Sequence, residues 1–196
     1  GHTIASLFAE MSSTRPIDLE GFLTPVSPRM RLLVGVGSPT RLNELRPELF
    51  DKLIEASHAF DFLVFDSAPL HPPDAPPTST QLQRFLVGEA DHVVMLADSN
   101  LIGIDRLARS AAAVLRLRGN RGLTFALNRH DAKARHSALL MQTFEGLTKQ
   151  LVTFTLPDDR KTLAAALERG CTASAVRQRG GYAKAVLALA TMLVTP

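Results

Sequence analysis

Five short runs of the chain are nearly continuous in apolar residues: Met30 to Val36, Phe60 to Asp66, His92 to Ala97, Leu123 to Asn128 and Leu151 to Leu156. Strands that bury one face alternate apolar and polar positions. Runs without alternation predict strands covered on both faces, as in a parallel sheet. Helical periodicity fills the spaces between them. Arg41 to His58 carries Leu42, Leu45, Leu49, Leu53 and Ile54, and Asn100 to Leu117 carries Ile104, Leu107, Ala108, Ala111 and Leu115 on one face. Asn100 is the expected N-cap of that second helix and Gly119 its stop. Further helices are expected over Ala134 to Gln150, over Asp158 to Arg169 (capped by Asp158 or Asp159, closed by Gly170) and over Tyr182 to Val194. In the last, Ala183, Val186, Leu187, Ala190, Leu193 and Val194 read as a core-packing face.

Alternation of strands and helices predicts right-handed crossovers and a doubly wound α/β fold: a mostly parallel sheet flanked by helices in three layers. Residues 1–196 are expected to form one such domain. Two stretches interrupt the pattern. Leu70 to Thr80 holds Pro72, Pro73, Pro76 and Pro77 and reads as a loop, and residues 10–29, with Pro16, Pro25 and Pro28, read as irregular.

Composition narrows the class. With 45% hydrophobic and 21% charged residues the chain is globular, and no apolar run approaches the length of a membrane span. The single cysteine excludes a disulfide framework and favours a reducing compartment. Gly1-His2-Thr3-Ile4-Ala5 lacks the basic and apolar parts of a secretory signal. A cytoplasmic location is expected. The net charge of +3 permits nucleic-acid binding without demanding it.

In open parallel sheets, ligands bind outside the carboxyl ends of the strands. The residues there are Asp66-Ser67-Ala68-Pro69, Asp98-Ser99-Asn100, Asn128-Arg129-His130-Asp131 and Pro157-Asp158-Asp159. Each set also suits a helix cap or turn, so only their convergence would make a polar crevice. Asp66 is the sharpest position, because an acid at the end of an apolar strand suits a carboxylate that holds hydrated Mg²⁺.

Other candidates read as structural. His130 and His136, with Asp131 between them, are not spaced for one helix face, so a surface loop is expected there rather than a metal site. Gly-x-Ser-x-Gly is absent, which argues against Ser67 as a hydrolase nucleophile. Cys171 reads as a small turn residue. Arginines 106, 109, 116, 118, 121, 129 and 135 read as a solvated face; gathered on one surface they would neutralise DNA phosphates without sequence preference.

Several of these segments carry a resemblance. Phe60 to Pro69 resembles the Walker B and switch II stretch of the MinD/ParA-type (SIMIBI) P-loop ATPases. Ala90-Asp91 resembles the opening of their next strand, and Leu127-Asn128-Arg129 their base-reading segment. Leu156-Pro157-Asp158-Asp159, with Ala166 to Gly170 after it, resembles their proline-aspartate loop and the run that follows. Within the group the chain looks closest to the CpaE/TadZ-like pilus-assembly and septum-site branch.

The resemblance implies an ATPase that positions a pilus, secretion, division or partition apparatus, with ATP and Mg²⁺ as cofactors. Asp66 would be the catalytic residue and hold Mg²⁺ through water. Ser67, Ala68 and Pro69 would be switch II, and Asn128, Pro157 and Asp158 would hold the nucleotide. It further implies a homodimer, protein partners in a membrane-associated machine, recruitment to the membrane or cell pole, and non-specific contact with DNA.

One departure is large. A phosphate-binding loop ends in Gly-Lys-Ser/Thr, and no Gly-Lys pair stands in the sequence. Gly35-Val36-Gly37-Ser38-Pro39 reads as a turn, and Lys161-Thr162 falls inside a helix. Gly1 to Phe8 resembles the stretch after the family's switch I aspartate, so the fold is expected to lack the P-loop strand. Two explanations stand: a longer ATPase seen without that segment, which is preferred, or a non-catalytic scaffold of the same fold that dimerises without turnover. Under both, these residues alone are not expected to hydrolyse ATP, because phosphoryl transfer rests on positioning and charge stabilisation around the phosphates.

Overall fold

The computed structural model describes residues 3–12, 18–36, 47–67 and 77–194. The chain falls into two compact units that divide after Gly88.

The first unit holds helix α1 (Ile4–Met11), a 3₁₀ turn (Glu20–Phe22), strands β1 (Thr24–Ser27) and β2 (Met30–Leu32), and helices α2 (Pro47–Ala56) and α3 (Pro77–Glu89). Thr3 and Ser6 cap α1 reciprocally: Ser6 N–H donates to Thr3 Oγ1 at 3.3 Å and Thr3 N–H donates to Ser6 Oγ at 2.7 Å. Leu7, Phe8 and Met11 of α1 pack with Leu19, Phe22, Phe50 and Leu53. Phe50 is the hub. The Phe8 ring meets it edge-on at 4.8 Å, and the rings of Phe65 and Phe85 lie 6.1 and 6.4 Å away.

Three sequence expectations change in this unit. The run Met30 to Val36 yields only β2, which pairs antiparallel with β1. Phe60 to Asp66 belongs to no ladder among the described residues: Phe65 is anchored on Phe50, whereas Val64 is 92% and Phe62 67% exposed. Apolarity alone does not make a strand, because backbone groups need a partner row. Finally, the proline-rich stretch ends earlier than expected. Pro77 opens α3, since a proline in the first turn of a helix sacrifices no intrahelical bond.

The second unit alternates regularly: β3 (Val93–Asp98), α4 (Leu101–Arg118), β4 (Leu123–His130), α5 (Ser137–Thr148), β5 (Phe154–Pro157), α6 (Arg160–Glu168), α7 (Ala173–Val176) and α8 (Gly181–Val194). Its sheet has the order β3-β4-β5 and is parallel throughout, with Met95 opposite Phe125 and Ala126 opposite Phe154. This is the layered α/β architecture that the alternation predicted. Ile104, Leu107 and Ala111 of α4, Phe125 and Leu127 of β4, and Leu140 and Phe144 of α5 form its core.

Local signals are realised here. Asn100 Oδ1 accepts from Gly103 N–H at 2.8 Å, and Asp159 rather than Asp158 caps α6, accepting from Thr162 N–H at 3.2 Å. Gly119 and Gly170 take φ of 62° and 60° where the helices stop. Two glycines are demanded by close approach. A Cβ on Gly103 would lie 2.0 Å from the Asp98 carbonyl oxygen, and one on Gly122 2.0 Å from that of Asp91. Arg118 fastens the same corner, donating to the carbonyls of Ala90, Asp91 and Arg121 at 2.9, 3.0 and 2.6 Å. Burial lowers its pKa from the ordinary value, Arg121 lowers it further, and Asp91 opposes both.

Not every strand is covered on both faces. β4 is, but Leu96 of β3 is 51% exposed. The face expected to pack α8 into the core is largely exposed, and Ala183 alone of its residues is buried. Among the described residues, no helix is long and apolar enough to cross a membrane.

Candidate functional site

Three parallel strands of the second unit end along one edge. Asp98 closes β3 directly opposite Asn128 of β4, and Ser99 N–H donates to the Asn128 carbonyl at 2.9 Å. Gly103 lets the first turn of α4 sit on the β3 tip. Past Asn128 the backbone bulges: the register with β5 shifts between Leu127 and His130, and Arg129 adopts φ 52°. Such bulges re-aim side chains at sheet edges. Asn128 Oδ1 supports this one by accepting from Arg129 N–H at 2.9 Å. The Arg129 guanidinium lies 3.5 Å from the Asp98 carboxylate, tying the two tips by an exposed ion pair worth under about 1 kcal/mol.

The bulge turns His130 inward. Its Nδ1 lies 3.0 Å from Ser99 Oγ and its Nε2 3.1 Å from Ser137 Oγ, so a buried imidazole joins the β3 tip to the start of α5. The expected surface loop is therefore wrong for His130. It holds for Asp131, which is exposed. Among the described residues no cluster of three potential metal ligands occurs. Ser99 and Ser137 are the polar neighbours of His130 that sequence reasoning did not connect, since they lie 31 and 7 positions from it.

Pro157 ends β5 opposite His130, and Asp158 N–H donates to the His130 carbonyl at 3.4 Å. The Asp158 carboxylate accepts from Arg160 Nε at 3.0 Å. An open cleft of about 470 Å³ lies here, lined by His130, Asp131, Ala132, Lys133, Thr155, Pro157 and Asp158.

The structure thus brings Asn128, Pro157 and Asp158 to one edge of one sheet. Asp66 and Ser67 belong to the first unit, both exposed and just beyond the anchored Phe65. Ala68 and Pro69 lie outside the described residues, as do Gly37, Ser38 and Pro39.

No protein-family model matches the sequence, and no curated protein matches it either. Solved structures do. A ParA-family ATPase from Chlorobium tepidum TLS superposes with a TM-score of 0.76 at 16% identity, covering 97% of this chain and 76% of that one. A chain of the MinC:MinD cell division protein complex from Aquifex aeolicus superposes with a TM-score of 0.68 at 14% identity, covering 98% and 72%. The chain has the MinD/ParA fold. Identity this low shows the fold and no more, so the chemistry of the edge must be argued from its own residues.

Proposed function

We propose that residues 1–196 form the base-binding part of a MinD/ParA-like ATPase domain that positions a pilus, secretion, division or partition apparatus. The observation that carries this reading is the convergence of Asn128, Pro157 and Asp158 on one carboxyl edge, beside an open cleft, in a chain of this fold. With its carbonyl oxygen held by Arg129 N–H, the Asn128 amide keeps two N–H donors for the acceptor nitrogens of a base. Pro157 supplies an apolar wall, and the Asp158 carboxylate accepts from an exocyclic amine.

Asp66 is assigned to the water shell of Mg²⁺, and Ser67, Ala68 and Pro69 to the switch that follows it. ATP and Mg²⁺ are the cofactors. Their phosphate grip must come from residues other than these 196, which contain no Gly-Lys pair. A CpaE/TadZ-like role, recruitment to the membrane or pole by protein partners, and dimerisation belong to the same reading. A non-catalytic scaffold of the same fold is the second reading, favoured by that missing pair.

Nitrogen-15 NMR titration with adenosine tests the base site. Shifts are expected at the amides of Asn128, Arg129 and Asp158; their absence at millimolar adenosine sinks the nucleotide reading. Calorimetry with Mg-ATP tests the phosphate argument. No micromolar binding is expected from these residues alone, and finding it would overturn the claim that the phosphate grip lies elsewhere.

A further inference from the structure

The open cleft at the strand ends has two walls, and both are fastened at one residue. Thr155, Pro157 and Asp158 form the wall on β5, and Asp131, Ala132 and Lys133 form the other, in the loop between β4 and α5. On the first side the His130 carbonyl accepts from Asp158 N–H at 3.4 Å. On the second its Nε2 lies 3.1 Å from the buried Ser137 Oγ, at the first residue of α5. The other ring nitrogen turns to a different element: Nδ1 lies 3.0 Å from Ser99 Oγ, just past the tip of β3 and outside the cleft lining.

The two arms of the imidazole meet different needs. α4 and α6 open on side-chain caps, from Asn100 and Asp159, but α5 opens on His136 with no side-chain cap bond. An uncapped first turn leaves backbone donors unsatisfied and frays. Leu140 and Phe144 seat α5 in the core, but further along the helix. Within the loop the bonds are short-range: Asp131 Oδ1 accepts from Lys133 N–H at 2.9 Å, and the Asp131 and Ala134 carbonyls accept from Ala134 and Ser137 N–H at 3.0 Å. They shape the loop without attaching it to the sheet. Of these bonds, only that from Nε2 to Ser137 joins the far end of the loop to β4. The Nδ1 arm duplicates other ties. Asn128 already stands in the ladder opposite Asp98, and its carbonyl accepts from Ser99 N–H at 2.9 Å. A neutral imidazole has one donor and one acceptor nitrogen, and a serine hydroxyl matches either, so both arms form together.

We propose that His130 is a positioning residue: through Ser137 its imidazole fixes the loop wall of the cleft, and with it the affinity for a base, whereas its bond to Ser99 serves stability alone. The affinity rests on the base-binding reading; the fixing of the wall does not.

Two measurements on the 196-residue chain test this: adenosine affinity by nitrogen-15 NMR, and backbone order parameters at Ala132, Lys133 and Ala134. Ser137→Ala is expected to raise the adenosine Kd about fivefold, as the loss of one hydrogen bond would. In the same variant the order parameters should fall toward about 0.6, the flexible range. Ser99→Ala is expected to leave both unchanged, although each variant loses stability to urea. Side-chain reach gives a second comparison. An asparagine amide falls where Nδ1 stands and a glutamine amide where Nε2 stands. His130→Asn is therefore expected to behave as Ser137→Ala, and His130→Gln to restore most of the affinity. A Ser99→Ala effect equal to that of Ser137→Ala overturns the proposal, because a role in stability alone then explains both. So do unchanged order parameters in Ser137→Ala. If the wild-type chain gives no shifts with adenosine, the base-binding reading is what fails, and the order parameters of Ser137→Ala by themselves uphold or overturn the fixing of the wall.

Discussion

The two units treat the same sequence signal in opposite ways. Phe62-Leu63-Val64-Phe65 and Phe125-Ala126-Leu127 are equally apolar, yet the first is exposed and joins no ladder among the described residues, while the second is the buried centre of a parallel sheet. What separates them is the neighbouring strand. β4 has hydrogen-bonding rows on both sides and is buried on both faces. The segment ending at Asp66 joins no ladder among the described residues; Phe60 packs against the first core and Phe65 stands on Phe50. An apolar run states what a strand prefers; pairing decides whether the preference is met.

The comparison can be broken by mutation. Phe144→Ala removes a ring that is completely buried against Phe125. Its expected cost is about 3–5 kcal/mol by urea denaturation. Phe50→Ala is expected to cost as much, because it is the hub of the other core; a cost under about 1 kcal/mol there would mean that the first unit has no comparable core.

Next in size is Gly103→Ala. Its Cβ would lie 2.0 Å from the Asp98 carbonyl oxygen, so α4 must lift off β3 at an expected cost of about 3 kcal/mol. Gly146 supplies the contrast. It sits exposed within α5 with nothing near its missing Cβ, so Gly146→Ala is expected to stabilise by about 1 kcal/mol.

His130→Ala leaves two seryl hydroxyls without their shared partner, at an expected cost of about 2 kcal/mol. A double-mutant cycle with Ser99→Ala should return a coupling of about 0.5 kcal/mol or more; additive losses would mean that the bridge does not tie β3 to α5. Smallest of all, Val64→Ser is expected to change stability by less than about 0.5 kcal/mol, because the side chain is 92% exposed. Hydrogen exchange sharpens the same point: amides of Phe62 to Phe65 should exchange rapidly, and those of Phe125 to Leu127 only on global unfolding.

Much of the second unit was legible in the sequence, because its signals act over a few residues. Asn100 and Asp159 cap helices through their own next turn, and Gly119 and Gly170 stop helices by backbone freedom alone. Pro157 was legible as a strand end for the same reason, with Asp158 just after it, whereas β4 runs on from Asn128 to His130. The Arg129 bulge, the inward turn of His130, the exposure of Leu96 and, among the described residues, the lack of a ladder beside Val64 were not. The first two depend on partners distant in sequence, β5 for the bulge and Ser99 for the imidazole, and the other two on which neighbours the tertiary structure sets beside a strand. Local chemistry marks where elements start and stop, whereas the choice of neighbour is made by long-range packing, which no window of adjacent residues contains.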